Sequence, residues 1–412
     1  MPRFLLILAL LVTAARAQET VQPEAAGLSA EGLSLVDAAF EKMVERKGVA
    51  GAVVLVARND KVGYFEVFGE QAPGQPMRKD TIFRIYSMSK PVTSVAALIL
   101  VEEGKLTLDD PVTKYVPVLA GVKVQGKQEN EGIPQRTATV KDLLLHTAGF
   151  SYGFGIGPVD GRYRQAKLLQ SKDLKKMMRK LSALPLVREP GTKWHYSVGT
   201  DVLGRVIEVA SGQALDRFLQ ERVFGPLGMR DTGFSVPKEK LPRFAANYGP
   251  AAQGELRLVD APATSRFGGT VTLFSGGGGL VSTAADYLRF CRMLQRGGEL
   301  DQKRILKRET VAMMTGNQLP EALVPISMGA FKMPGTGFGL GFAVRMAEKP
   351  AQEHGEYGWA GAASTGFSIA PAADLIVITM VQYMPFNGRF HRTAKGLAYK
   401  AVLKPEPSAA RD

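Results

Sequence analysis

Cysteine is almost absent from this sequence. Cys291 is the single one among 412 residues, so an internal disulfide is excluded and the fold has to be stabilised by its hydrophobic core. A lipid anchor on an N-terminal cysteine is excluded for the same reason. Cys291 itself lies within a predicted amphipathic helix, where a core position is the expected role.

Histidine is scarce as well, with four residues in the whole chain. Neither His195 nor His354 has a second ligand at a spacing that metal sites use, so no metal is expected. The glycine run at 276–279 is not followed by the G-K-[ST] of a phosphate loop, and no other cofactor signature occurs. The sequence therefore predicts a protein that works without a metal or a cofactor.

Long apolar runs are limited to the beginning of the chain. A basic start, an apolar run over residues 4–12 and the triplet Ala-Arg-Ala at 15–17 are typical of a secretory signal peptide that is cleaved before Gln18. No later segment approaches the roughly 18 apolar residues that span a bilayer. We therefore expect an exported protein, periplasmic or secreted, without a stable membrane anchor.

Positive charge exceeds negative charge. The 52 Lys and Arg against 39 Asp and Glu give a formal net charge of +13, which falls to +11 if Arg3 and Arg16 leave with the signal peptide. The densest basic run, at 172–180, lies on a predicted amphipathic helix and is expected to be a solvated helix face. No nucleic-acid-binding motif accompanies it, so nucleic acid is not an expected partner.

Strand patterns occur near both ends of the chain, and helix patterns lie between them. A helix is predicted over 30–47, and the segment GVAGAVVLVARNDKVGYFEVFGE predicts two strands joined by a turn at 58–60. Helices and loops follow to about residue 255. Three further strand segments and a last helix over 390–402 complete the chain. One sheet built from distant segments, with a helical region inserted, explains this order.

The stretch FRIYSMSKPVTSVAALILVEEG places Ser87 three residues before Lys90, at the start of a strongly apolar helix predicted over 87–103. Residues three apart share a helix face, about 5–6 Å apart at Cβ, so the two side chains can meet. The helix N-terminus favours an oxyanion at the serine, and an apolar environment disfavours a charged lysine, so Lys90 can accept the serine proton. The alternative is a capping serine followed by a solvated lysine.

Two other serines compete with Ser87. Ser235 and Lys238 repeat the S-x-x-K spacing, but they lie in a proline-rich loop without an apolar helix behind it. Ser151 stands in G-x-S-x-G, the pattern of a hydrolase nucleophile elbow, which requires a strand before the serine and a helix after it. A helix is predicted before Ser151 and a glycine-rich loop after it, so the context favours Ser87.

Tyr196 follows a Pro-Gly turn in PGTKWHYSVGTDVLG and precedes a helix predicted to begin near Ser197. A loop tyrosine in this position can project into a cleft and, beside an ammonium group, can act as a proton shuttle. The alternative role is that of a half-buried tyrosine that hydrogen-bonds to the backbone.

The whole chain after residue 17 resembles the serine β-lactamase and DD-peptidase superfamily, most closely the β-lactamase-related family VIII carboxylesterases. Four segments in the family's order carry the resemblance: FRIYSMSKPVTSVAALILVEEGKLTLDDPV, VKDLLLHTAGF, PGTKWHYSVGTDVLGRVIE and GEYGWAGAASTGFSIAP. It implies Ser87 as the acylated nucleophile, Lys90 as its base and Tyr196 as the shared proton relay, and it assigns His146 to a structural motif.

The resemblance also implies an α+β fold, in which an antiparallel sheet flanked by helices carries an inserted, mainly helical subdomain. The expected organisation is a signal peptide at 1–17 followed by one catalytic domain over 18–405. Residues 18–86 and 265–405 are expected to form its α/β part, and residues 87–264 its mainly helical part. The active site is expected between the two parts.

Two positions depart from the β-lactamase pattern. Where β-lactamases carry Tyr-x-Asn or Ser-Asp-Asn, this chain has Val198 in place of the amide. Where they carry Lys-Thr-Gly, it has Trp-Ala-Gly, as the esterase branch often does, so Trp359 replaces the cation that would pair with a substrate carboxylate. Gly361 still allows close approach of the substrate backbone, and the N–H groups of Ala362 and Ser87 are implied as the oxyanion hole.

These features predict a serine hydrolase that cleaves small uncharged esters through an acyl-enzyme intermediate on Ser87, with a small-molecule ester or amide as its partner. The first alternative is the same chemistry on amides, as in a D-amino-acid peptidase, an oligoamide hydrolase or a weak β-lactamase. The second is a non-catalytic protein that binds cell-wall peptides. The intact set of Ser87, Lys90 and Tyr196 argues against that second alternative.

Overall fold

The helices account for most of the regular structure in the middle of the chain. The computed structural model describes residues 19–125, 131–329, 331–346 and 353–403, and the predicted signal peptide lies outside them. The α-helices in these ranges are α1 (Ala30–Glu45), α2 (Ser89–Glu102), α3 (Val112–Tyr115), α4 (Val140–Leu144), α5 (Pro158–Ala166), α6 (Leu174–Leu181), α7 (Gly199–Ser211), α8 (Leu215–Leu219), α9 (Gly225–Leu227), α10 (Ala284–Gln295), α11 (Arg308–Thr315) and α12 (Arg389–Ala401).

An antiparallel eight-stranded sheet is formed from the two ends of the chain. Its strands are β1 (Gly51–Arg58), β2 (Lys61–Ala72), β3 (Gln75–Pro76), β4 (Thr336–Phe338), β5 (Ala343–Arg345), β6 (Tyr357–Ala360), β7 (Gly366–Ala370) and β8 (Leu375–Val381). The order across the sheet is β4-β5-β6-β7-β8-β1-β2-β3. The predicted sheet of distant segments flanked by helices is therefore confirmed.

Side chains of the central strands point alternately to the two faces of the sheet, which explains why helices cover both faces. In β1, Val53 and Leu55 belong to a core that includes α2 and α10, whereas Ala52 and Val54 belong to a second core with α1 and α12. Successive side chains of a strand point to opposite faces, so a strand of small and β-branched residues can serve both cores at once. The neighbouring strand β8 continues both cores, with Ile378 opposite Leu55.

Helix ends follow from the capping residues in the sequence. The Ser29 side chain accepts the N–H of Gly32 at the start of α1, and Thr283 accepts the N–H of Asp286 at the start of α10. Helix α1 ends at residue 45 and α12 at residue 401, within two residues of the predicted ends. Cys291 is buried on α10, which confirms its expected core position.

A two-residue strand pair joins distant parts of the chain in front of α2. Phe83–Arg84 pairs antiparallel with Val281–Ser282, which brings the glycine run at 276–279 beside the residues that follow Arg84. The Arg84 side chain is fully buried and holds this segment through an ion pair with Asp260 at 2.7 Å. A buried arginine is costly to leave unpaired, so this contact anchors the chain before the candidate nucleophile.

The predicted start of the apolar helix needs one correction. Residues Tyr86–Met88 form a 3-10 turn, and α2 begins at Ser89 rather than at residue 87. The backbone reason is local: Tyr86 has φ of 41°, in the left-handed region, and the N–H of Met88 bonds to the carbonyl of Ile85 at 3.0 Å. Side chains rarely tolerate that conformation, so sequence periodicity does not reveal it.

Candidate active site

Ser87 lies on the 3-10 turn directly before α2. The left-handed conformation of Tyr86 turns the chain sharply at this point. The ring of Tyr86 packs edge-on against Phe267, with 6.0 Å between the ring centroids, and this contact helps to hold the turn. The Ser87 hydroxyl therefore lies at the N-terminal end of the helix, where it stays partly exposed.

Ser87 and Lys90 meet as their spacing predicts. Lys90 Nζ lies 3.2 Å from Ser87 Oγ and donates to the carbonyl oxygen of Gly277 at 2.6 Å. The lysine is 1% exposed, so it is not a solvated charge. Helix α2 has Met88 as its N-cap residue and no side-chain cap, so the alternative of Ser87 as a capping residue is wrong.

Tyr196 lies half-buried in the loop before α7, which begins at Gly199. Its ring centroid is 4.6 Å from Lys90 Nζ. Its phenol oxygen accepts a hydrogen bond from Trp359 Nε1 at 3.3 Å, so its partner is a side chain of the same cleft. The tyrosine thus connects the lysine to the segment Tyr357–Ala360 of the sheet.

The end of β6 closes the other side of the cleft. Trp359 is partly exposed there, and its ring centroid lies 5.4 Å from that of Tyr196. A Cβ on Gly361 would lie 2.4 Å from the carbonyl oxygen of Ile85, so only glycine lets this strand end approach the segment that carries the nucleophile. Ala362 follows in a turn that Gly361 closes by bonding to Thr365 at 2.9 Å. The six predicted site residues therefore come from segments that converge on one cleft.

His146 packs beneath Tyr196. The two ring centroids are 4.8 Å apart, and the carbonyl of His146 accepts the N–H of His195 at 2.8 Å, so His146 supports the loop that carries Tyr196. Burial, together with the charges of Lys90 and His195, holds the pKa of His146 well below its usual range. A neutral imidazole packed at a tilt against the tyrosine ring agrees with the structural role that the sequence suggested. His354 lies exposed in the turn before β6.

Ser151 does not have the surroundings of a nucleophile elbow. It follows the short helix α4 and precedes a loop, as the sequence predicted, and it is fully buried. Its hydroxyl bonds to Asp160 at 2.5 Å and accepts the N–H of Gly153 at 2.8 Å, while His195 Nε2 lies 3.5 Å away. The aspartate thus binds the serine itself, and among the described residues no aspartate is hydrogen-bonded to the His195 ring to orient it as a base.

Aromatic side chains that were not predicted from the sequence line the mouth of the cleft. The ring centroid of Tyr152 lies 5.2 Å from Lys90 Nζ and 5.3 Å from the Tyr196 ring. Phe154 stacks on Tyr152 at 5.2 Å with an interplanar angle of 20°, although its side chain is 74% exposed. The alternation of aromatic and small residues in FSYGFG was the available signal, because a half-exposed aromatic loop is common at binding clefts.

Two further groups beside Lys90 were not predicted from the sequence either. One is the carbonyl of Gly277, in the run that was excluded as a phosphate loop, and the other is Asp201 on the first turn of α7. Asp201 is fully buried and accepts the N–H of Gly277 at 3.2 Å and the hydroxyl of Ser275. An acid on the apolar side of a helix was the signal for it, since buried carboxylates need partners.

Metal and membrane features are lacking in the part of the chain that the structure describes. No group of three or more His, Cys, Asp or Glu residues there could hold a metal ion. No helix among those residues is long and apolar enough to cross a bilayer. Two cavities, of about 400 and about 180 Å³, are lined by neither Ser87 nor Lys90.

The arrangement has the parts that acyl transfer needs. A serine hydroxyl touches a buried amine, a phenol lies against that amine, and a strand end with a glycine packs on the serine segment. An amine in contact with a hydroxyl can take its proton, and a nearby phenol can pass the proton to a leaving group. The indole of Trp359, on β6, is bonded to the phenol of Tyr196 in the same cleft.

Known proteins resemble this chain over most of its length. The family model described as Beta-lactamase matches residues 36–401. An uncharacterized protein of Mycobacterium tuberculosis is 37% identical over 359 residues, which cover 82% of this chain and 86% of the relative. Esterase EstB of Burkholderia gladioli is 30% identical over 393 residues, covering 88% and 93%.

A solved structure shares the fold. EstCE1, described as a hydrolase with promiscuous acyltransferase activity, superposes with a TM-score of 0.76 at 27% sequence identity, covering 90% of this chain and 99% of that one. The similarity extends across both the sheet and the helical middle of the chain, so it is not confined to the segments around the cleft.

Proposed function

Because this chain belongs to the beta-lactamase family and is an acyl-transferring serine hydrolase of that superfamily, we propose that it cleaves small uncharged esters through an acyl-enzyme intermediate on Ser87. The observation that carries the proposal is the hydrogen bond from Trp359 to Tyr196, directly beside the pair of Ser87 and buried Lys90. The acylation groups are present, and an apolar ring stands where an anionic substrate would need a positive charge.

Acylation is the first half of the proposed reaction. The Ser87 proton passes to Lys90 Nζ while Oγ forms a bond to the ester carbonyl carbon. The N–H groups of Ser87 and Ala362 take the negative charge that develops on the carbonyl oxygen. The bond between the carbonyl carbon and the alcohol oxygen then breaks, and the alcohol leaves with a proton relayed from Lys90 through Tyr196.

Deacylation repeats these transfers with water. A water molecule attacks the acyl carbon and gives a proton to the pair of Tyr196 and Lys90. The bond to Ser87 Oγ breaks, the serine regains a proton from Lys90, and the acid product leaves with the oxygen of the water. An alcohol in place of the water would give acyl transfer by the same steps, as the description of EstCE1 illustrates for that protein.

Substrate choice follows from the polarity of the cleft. A β-lactam brings a carboxylate, and removing that charge from water costs several kcal/mol unless a cation or hydrogen bonds replace the water. Trp359 offers an indole whose N–H is already bonded to Tyr196, and Val198 is 1% exposed and has no side-chain donor. The stacked rings of Tyr152 and Phe154 suit an apolar group on either side of the ester.

We predict efficient hydrolysis of p-nitrophenyl acetate or butyrate, and turnover of penicillins or cephalosporins at least about 100-fold less efficient, which corresponds to about 3 kcal/mol. Trp359→Lys should raise the ratio of β-lactam to ester turnover at least about tenfold, because it supplies the missing cation. Steady-state kcat/KM values for p-nitrophenyl butyrate and nitrocefin, on the wild type and the variant, measure both.

Trp359→Phe is the matched control for this prediction. It keeps an apolar ring but loses the bond to Tyr196, so it should lower ester turnover without raising the ratio. Nitrocefin turned over by the wild type as well as the butyrate ester would contradict the ester proposal. That result would favour the amide-directed alternatives: a D-amino-acid peptidase, an oligoamide hydrolase or a weak β-lactamase.

The place of action is a separate part of the proposal. From the basic start, the apolar run and the Ala-Arg-Ala triplet, we predict that the mature protein begins at Gln18 and is found in the periplasm or the medium. Cell fractionation followed by N-terminal sequencing measures both. Exported protein that still begins at Met1, or that remains membrane-bound through an intact N-terminus, would show that the prediction is wrong.

A further inference from the structure

Asp201 is a buried carboxylate that the proposed reaction does not use. It lies on the first turn of α7 with no exposed surface. Its Oδ1 accepts the hydroxyl of Ser275 and the N–H of Gly277 at 3.2 Å. A carboxylate is costly to bury, so its position beside the cleft calls for a compensating role.

The contacts of Asp201 lead directly to the lysine. Gly277, whose N–H bonds to Asp201, is the residue whose carbonyl accepts Lys90 Nζ at 2.6 Å. Gly277 therefore contacts the Asp201 carboxylate through its N–H and the Lys90 side chain through its carbonyl. Moving the carboxylate would move the carbonyl that aims Lys90 at Ser87.

The second oxygen of Asp201 has no hydrogen-bond partner among the described residues. A Cβ built on Gly277 would lie 2.6 Å from this Oδ2 and 2.8 Å from the hydroxyl of Tyr152, so the carboxylate and the phenol face the same small space. Tyr152 in turn has its ring over Lys90. The carboxylate is thus connected to the surroundings of Lys90 through both Gly277 and Tyr152.

Resting on the function proposed above, we propose that Asp201 is a positioning residue for Lys90. Its carboxylate holds the Gly277 carbonyl in place and puts a buried acidic group beside the lysine, so it tunes how readily Lys90 accepts the proton of Ser87. It touches neither the serine nor the substrate, and acts only through the lysine.

The other titratable groups around Lys90 leave this role to Asp201. Tyr196, Tyr152 and His146 surround the lysine. Burial raises the pKa of Tyr152 well above its ordinary value and lowers that of His146, so both are neutral near pH 7. Burial raises the pKa of Asp201 itself, while the bond from Ser275, the charge of Lys90 and the N–H of Gly277 oppose that rise.

Asp201→Asn tests the proposal, because the amide keeps the size and an acceptor oxygen but removes the charge. An anion near a base favours its protonated form, so removing the anion should move the acid limb of the kcat/KM profile for p-nitrophenyl butyrate to lower pH by at least about half a unit. The plateau should fall about tenfold, because a base that gives up its proton more easily is a weaker acceptor.

Asp286→Asn is the matched control. Asp286 is also a buried aspartate that accepts a backbone N–H and a hydroxyl, from Asp231 and Thr232. Its substitution should leave the acid limb and the plateau unchanged. Asp201→Asn with a wild-type acid limb, or with a lower plateau that tracks a fall in Tm, would overturn the proposal in favour of a purely structural role.

A second variant and a second measurement keep the proposal testable. If Asp201→Asn does not fold, Ser275→Ala removes a donor that keeps the carboxylate ionised and should move the acid limb in the same direction. An unmoved limb there would overturn the proposal as well. The pH dependence of fluorophosphonate labelling at Ser87 gives the same readout without an ester, so a wrong choice of substrate class would not be mistaken for failure of the Asp201 proposal.

Discussion

Ser87→Ala is expected to abolish fluorophosphonate labelling and to lower ester turnover by a factor on the order of 10⁴ or more, because no acyl-enzyme can form without the hydroxyl. The fold should survive. The hydroxyl caps no helix, and it bonds to Lys90 in a partly exposed cleft, so its removal should cost no more than about 1 kcal/mol. Initial rates with p-nitrophenyl butyrate, intact-protein mass after labelling, and Tm measure the three effects.

Ser151→Ala is the matched control for this experiment. Ser151 is fully buried and bonds to Asp160 and to the N–H of Gly153, so its loss should lower Tm while most activity and labelling remain. If Ser151→Ala is the inactive variant and Ser87→Ala is not, Ser151 is the nucleophile. If neither wild-type serine is labelled and no ester or amide is turned over, the non-catalytic peptide-binding alternative gains support.

Lys90→Met should lower kcat/KM by about 10²- to 10⁴-fold, the usual contribution of a general base. Methionine has about the same length and is apolar, so it suits a site that is 1% exposed. It removes the amine 3.2 Å from Ser87 Oγ and the donor to Gly277, and therefore leaves the serine without a proton acceptor. Fluorophosphonate labelling of Ser87 should slow by a similar factor.

Lys90→Arg distinguishes a role of Lys90 as the proton acceptor from a role of its positive charge alone. Arginine keeps a cation in the site but does not lose its proton at any pH where the protein is folded, so it cannot act as the base. We expect it to be as inactive as Lys90→Met. An Arg variant that retains more than about a tenth of wild-type activity would contradict the base assignment, and would mean that Lys90 acts through its positive charge.

Local patterns were sufficient for the elements that depend on nearby residues. The helix over 30–47 and the strands around the turn at 58–60 agree with the structure within three residues, because capping residues, turn residues and the period of buried positions all lie close together in the sequence. The start of α2 was misplaced by two residues, since a left-handed Tyr86 contradicts the preference of its own side chain.

The sequence by itself determined that strands from both ends of the chain form the sheet, although β6 was not predicted as a strand. It also determined the family resemblance and the meeting of Ser87 with Lys90, which is a local consequence of a three-residue spacing. Only the tertiary structure decided what surrounds that pair: the Gly277 carbonyl lies 187 residues beyond Lys90, and Trp359 lies 163 residues beyond the tyrosine it bonds. Periodicity reports that a residue is buried but not which partner it meets. The partners of Lys90 and Asp201 are therefore set by distant segments that meet at one cleft. Pairing across a long loop depends on the whole fold.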